Sequence, residues 1–123
     1  MPIDTLSIDV STVEDGRTQL FALHGSLDIA TSPSLRAALL EAAEHAGHNI
    51  IVDLTNLEFL DSTGLGALIG AHKRAAEHDG SVRLVAHEGQ ILRLLRITGL
   101  LEVFYVYPSI EAALSDDKRL VGL

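Results

Sequence analysis

The sequence predicts a single α/β domain, a mixed sheet of about five strands packed with about four helices. Three observations lead there. Two strand-like segments open the chain, and helix and strand then alternate to its end, the order of an antiparallel hairpin running into a parallel sheet. "NIIVDL" (49–54) is a nearly continuous run of branched residues, as in a central strand covered by helices on both faces. The 123 residues, 47% hydrophobic, suffice for one core and fall short of two domains.

The first element, "TLSIDV" (5–10), places Leu6, Ile8 and Val10 on one face, and "EDGR" supplies a turn into "TQLFALHG" (18–25). In "TSPSLRAALLEAAEHAG" (31–47), Ser32 suits a helix cap and Pro33 the first helical position. Leu35, Ala38, Leu39, Ala42 and Ala46 form its apolar stripe, and Gly47 is its stop. After the central strand, "FLDSTGLGALIG" (59–70) opens a helix from about Ser62 to His78, with Lys73 and Arg74 toward its C-terminal end and Gly80 beyond it. Asp61 is positioned to cap this helix, and Phe59 and Leu60 read as core, with a partner-facing apolar lip as the alternative. Gly64, Gly66, Ala67, Gly70, Ala71 and Ala75 give it a side without bulk for close packing, while Leu65, Leu68 and Ile69 fill the core.

"SVRLVA" (81–86) reads as the fourth strand. "QILRLLRITG" (90–99) is an amphipathic helix with Ile91, Leu94, Leu95 and Thr98 on its apolar side and Gly99 as terminator. "VFYVY" (103–107) is the last strand, and "PSIEAALSD" a short helix capped by Ser109. Residues 1–116 are thus assigned to the domain and 117–123 to a frayed tail.

Composition narrows the function. A net charge of −8 without a Lys/Arg cluster argues against nucleic acid and anionic membrane surfaces as partners. The absence of cysteine removes disulfides and thiolate chemistry, and there is neither a signal-peptide pattern nor an apolar run of the ~20 residues a membrane span needs. A cytoplasmic location is the expectation.

Enzyme readings fail on spacing. Gly64, Gly66 and Gly70 form G-x-G-x-x-x-G, not the dinucleotide fingerprint, and lie too far from the preceding strand for its tight turn. "DSTG" has one residue too many for an aspartic protease and no second copy. His45 and His48 straddle Gly47 and need not share a face, His72 and His78 lie on one helix, and no third metal ligand is suggested. Ser62 lacks the G-x-S-x-G elbow of a catalytic serine. No enzyme activity, metal or cofactor is expected. The strongest rival is a receiver-like phosphoacceptor domain with Asp53 as acceptor; against it, the last strand ends "YVYPS" with no lysine at the matching place, and the chain starts with a hairpin, not a strand–helix unit.

"HGSLDIATSPSLR" (24–36) and "IIVDLTNLEFLDSTGLGALIGAHKRA" (51–76) together resemble the STAS domain family, most closely the bacterial anti-sigma factor antagonists, with "ITGLLEVFYVYPSIEAAL" (97–114) as the domain's end. Asp61-Ser62-Thr63-Gly64-Leu65 is the most specific element, supported by Gly25-x-Leu27-Asp28. The resemblance implies a switch: the unphosphorylated antagonist binds an anti-sigma factor, itself a serine kinase of the histidine-kinase-like ATPase fold, and sigma factor is freed. Phosphorylation of the motif serine, matching Ser62, abolishes binding, and a serine phosphatase restores it. Thr63 is a secondary acceptor candidate. Asp28, Ile29, Thr31, Ser32, Asp61, Ser62, Thr63, Gly64 and Leu65 are the implied partner-binding positions, on a monomer or weak dimer. A STAS scaffold in a stressosome-like assembly and a small-ligand or nucleotide-binding STAS domain are the alternatives.

Overall fold

The opening alternation does form a hairpin: β1 (Leu6–Thr12) pairs antiparallel with β2 (Thr18–Leu27). The structure, a computed structural model, describes residues 5–13, 16–45, 49–116 and 119–121. After the hairpin come α1 (Ser32–His45), β3 (Asn49–Leu60), α2 (Ser62–Glu77), β4 (Ser81–Val85), α3 (Gln90–Ile97), a 3-10 turn (Leu100–Glu102), β5 (Tyr105–Tyr107) and α4 (Ile110–Ser115). The sheet order is β1-β2-β3-β4-β5, with every pair after the first parallel. The Gly47 stop, the Glu14–Asp15 part of the first turn and the side chains of the His45–His48 pair lie outside the described residues.

The two-sided burial predicted for "NIIVDL" is observed. Ile50, Val52 and Leu54 join Phe21, Leu23, Leu35, Leu39, Leu68 and Leu84 in the main core, while Ile51 faces the opposite way, onto Val85, Tyr107 and the Ala112–Ala113 pair of α4. Arg74 of α2 binds Glu44 of α1 and Glu77 on its own helix, which fastens the two helices at the surface. Among the described residues, no helix is long and apolar enough to cross a membrane.

Several expectations shift. Ser32 is the first helical residue and is buried, not an exposed cap. On α3, Leu92 and Leu95 are the buried residues; Thr98 is exposed and donates its hydroxyl to the carbonyl of Leu94. β5 starts later than predicted because Gly99, at φ 78°, turns the chain into the 3-10 segment. Ser109 caps α4 through Ala112 N–H as expected. The tail does not simply fray, since Leu120 N–H donates to Val106 O and adds a bridge to β5.

His72 is half-buried, its ring centroid 5.2 Å from that of Phe104 and its buried Nδ1 without a hydrogen-bond partner among the described residues. Burial holds its pKa below the ordinary 6.5, so the folded chain favours the neutral ring. The unfolded chain binds the proton more tightly; this contribution is therefore present above pH ~6.5 and is lost as pH falls through the lower folded value. Urea unfolding between pH 5 and 7.5 should show His72→Leu with a smaller acid loss of stability than the wild type. An identical pH slope in both would contradict this assignment.

Candidate functional site

The N-terminus of α2 is built by Asp61. The residue is extended (φ −111°, ψ −174°), and its Oδ1 accepts from Thr63 N–H at 2.9 Å, Gly64 N–H at 3.1 Å and the Thr63 hydroxyl at 2.6 Å. Free amides at a helix start are thereby satisfied by a carboxylate that the helix dipole also favours. The Thr63 hydroxyl, then the Gly64 amide and other backbone N–H groups, hold the Asp61 pKa below its ordinary value, so Asp61 is a carboxylate near neutral pH. Between these partners Ser62 stands exposed as the first helical residue, and its hydroxyl makes no hydrogen bond among the described residues.

The other motif forms the loop beside it. Asp28 Oδ1 accepts from Ala30 N–H, Thr31 N–H and the Thr31 hydroxyl, which also donates to Ser26 O at 2.8 Å. Asp28 is thus a half-buried organiser of the turn into α1, more than an exposed loop acid. The two motifs are joined through the backbone: Asp61 N–H donates to Leu27 O at 3.2 Å, and the Ile29 amide adds the smallest of the influences that lower the Asp61 pKa. The residue that caps α2 is thus also tied to the end of β2.

Glycines make the clasp close. Gly25 sits at φ 103°, and a Cβ there would lie 2.2 Å from the Thr5 carbonyl oxygen, where β1 crosses. A Cβ on Gly64 would lie 2.7 Å from both Leu27 and Leu60 side chains. Gly66 has nothing within 4 Å and Gly70 only the Arg36 side chain at 3.7 Å, so their assignment to close packing is corrected. Gly64→Ala is therefore expected to cost about 1–3 kcal/mol of overpacking, against up to ~1 kcal/mol gained in helix propensity. Gly66→Ala has only the gain. Urea midpoints should move in opposite directions for the two variants; a stabilised Gly64→Ala would refute the close contact.

Of the predicted partner-facing positions, Ile29, Ser62 and Thr63 are exposed, Asp28, Thr31 and Asp61 half-buried, and Ser32, Gly64 and Leu65 buried. Phe59, read as core, is 51% exposed and Ile29 is 74% exposed, two large apolar side chains left open on the segments that carry the two motifs. The outward placement of Phe59 follows from β3 continuing to Leu60, where Phe59 stands opposite Ser26 and Leu60 opposite the buried Leu27. Two register shifts against β2, Ala22–Asp53 to His24–Asn56 and Gly25–Leu57 to Ser26–Phe59, each insert one β3 residue, so that Leu57 between them turns inward and the alternation is restored beyond the second. The signal available in the sequence was the failure of "TNLEFL" to alternate.

Asp53 lies in the middle of this longer strand. It is 8% exposed and accepts from Thr55 N–H and the Thr55 hydroxyl, unlike a phosphoacceptor presented at a strand end. Among the described residues, no three His, Cys, Asp or Glu gather as a metal site.

A mixed five-stranded sheet with an exposed serine on a carboxylate-capped helix, joined to the loop after β2, is a single domain of the α/β class. The chain belongs to the STAS domain family, which matches residues 9–113. It is 28% identical over 106 residues to an anti-sigma-B factor antagonist of Staphylococcus epidermidis, covering 86% of this chain and 98% of that protein. Its fold is similar to the crystal structure of an anti-sigma factor antagonist from Mycobacterium paratuberculosis, with TM-score 0.82 and 27% identity over 92% of this chain and 94% of that one. SpoIIAA in its unphosphorylated form, an anti-sigma factor antagonist, shares the fold at TM-score 0.76 and 22% identity, over 89% and 95% of the two chains.

Proposed function

We propose that this chain is an anti-sigma factor antagonist, a binding module without chemistry of its own, whose grip on an anti-sigma factor is switched by phosphorylation of Ser62. The observation that carries the reading is the Ser62 hydroxyl, exposed and unbonded at the α2 N-terminus, beside a capping acid whose backbone ties both family motifs together. The kinase is the anti-sigma factor itself, of the histidine-kinase-like ATPase fold, and a serine phosphatase reverses the modification. Residues 1–116 are the functional unit in this reading.

Geometry separates the two hydroxyls. Thr63 donates to Asp61 at 2.6 Å as part of the cap, whereas Ser62 has no such role among the described residues, which supports Ser62 as the acceptor and Thr63 as a positioning residue. A phosphate there adds about −1.5 to −2 charges where the helix dipole favours an anion by roughly 0.3–1 kcal/mol. The fold should tolerate it, while a docked surface must bury it near Asp61, Asp28 and Glu58. The docking surface comprises Ile29 and Phe59 with Asp28, Thr31, Asp61, Ser62 and Thr63; Ser32, Gly64 and Leu65 shape it from below.

A pull-down from native cell extract with and without ATP, followed by mass spectrometry of residues 51–76, tests the reading. Recovery of an ATPase-fold protein, with an ATP-dependent phosphate on Ser62, supports it. A phosphate confined to Thr63 or Asp53 would overturn the assignment of the switch.

A further inference from the structure

The two edges of the sheet are finished differently. β5 is three residues long, and Leu120 bridges to Val106 along its outer side. β1, at the other edge, runs seven residues from Leu6 to Thr12 in unbroken register with β2 and has no second neighbour among the described residues. The hydrogen-bond ladder defines its free side. Ser26 N–H donates to Thr5 O and Val13 N–H to Thr18 O, so the odd-numbered residues of β1 turn their amides and carbonyls toward β2. Those of Leu6, Ile8, Val10 and Thr12 therefore point outward.

Edge strands are commonly blunted by lysine, proline, a bulge or a covering segment, because open amides and carbonyls pair with another strand. β1 has no lysine, proline or register shift, and its one charge, Asp9, lies on the sheet face opposite to Ile8 and Val10. Leu6 and Ile8 pack at the margin of the main core, while Val10 is 50% exposed. We propose that this edge is an interaction surface for a second copy of the chain, with β1 pairing antiparallel to β1 about a two-fold axis at Ile8. The strand is complementary to itself in that register. Ile8 meets Ile8 of the second copy, Leu6 meets Val10, and Asp9 meets Ser7 in place of another carboxylate. An axis at Asp9 would oppose like charges. The paired stretch, Leu6–Val10, is far shorter than the ~20–30 residues a side of a standard interface, so the dimer is weak, dissociating at about 10 μM to 1 mM. The proposal does not rest on the reading of Ser62.

The test is sedimentation velocity of the full chain from about 10 μM to 1 mM, joined to amide hydrogen exchange at both ends of that range. A concentration-dependent dimer is expected. Exchange at Leu6, Ile8 and Val10 should slow at least about threefold at the higher concentration, while exchange at Ser7, Asp9 and Ser11 stays unchanged. This alternation reads edge pairing without any substitution. Val10→Lys sets a charge on the open edge and should weaken association at least about tenfold, with an unfolding midpoint near that of the wild type because Val10 is half exposed. No dimer at about 1 mM, added protection confined to β5 or to Ile29 and Phe59, or a folded Val10→Lys chain that associates like the wild type would overturn the proposal.

Discussion

Phosphorylation of Ser62 is expected to lower affinity for the anti-sigma factor about thirtyfold to several-thousandfold while leaving the unfolding midpoint nearly unchanged. The asymmetry follows from where the charge sits in each state. In the free protein, the phosphate is exposed at a helix start and fully hydrated. In the complex it loses that water beside Asp61, whose own carboxylate already takes the Thr63 and Gly64 amides that would otherwise receive an anion. An uncompensated charge at an interface costs about 2–5 kcal/mol, which sets the affinity range. Ser62→Ala should bind like the unmodified protein and resist phosphorylation, and Ser62→Asp should bind more weakly. Titration calorimetry against the purified partner, paired with urea unfolding, separates the two effects.

Truncating the apolar lip should produce the second large effect. Phe59→Ala is expected to weaken partner binding at least about thirtyfold, as central aromatic anchors do at interfaces, with Ile29→Ala smaller in the same direction. Stability should scarcely change, because Phe59 is 51% exposed and Ile29 74% exposed in the free chain. A Phe59→Ala protein that loses stability and keeps its affinity would return this residue to the core, where its sequence had placed it. The comparison is informative because Leu60, the next residue, is only 6% exposed and should show the reverse pattern.

That contrast also shows what the sequence could reveal. The element order, the hairpin, the central strand and the caps at Asp61 and Ser109 are local signals, written in short-range periodicity and in side chains able to reach nearby amides. They emerged where expected, except that the central strand runs on to Leu60 and meets α2 directly, so Gly64 and Gly66 are not far from the preceding strand as its apolar run implied. Phe59 did not, because the apolar run that marks the strand ends at Leu54, whereas β3 continues to Leu60 and sets Phe59 opposite Ser26 and Leu60 opposite the buried Leu27. Gly66 and Gly70 looked equivalent to Gly64 in the helix, yet only Gly64 meets Leu27 and Leu60 closely.

The clasp belongs to the same category. Each motif was visible alone, and Asp28 and Asp61 were singled out as acids near the serine. That Leu27 O receives the Asp61 amide could only come from the fold, which brings the end of β2 beside the end of β3. The unpartnered Nε of Arg83 and the half-buried ring of His72 are likewise products of tertiary packing, at positions where the sequence offered only an alternating strand and a helical face.

The most direct test of the central claim uses two baits in one native extract: the unmodified chain and the same chain carrying phosphoserine at position 62. The account predicts that the unmodified bait retains an ATPase-fold anti-sigma factor and that the phosphorylated bait does not. Equal recovery of that protein on both baits would contradict it.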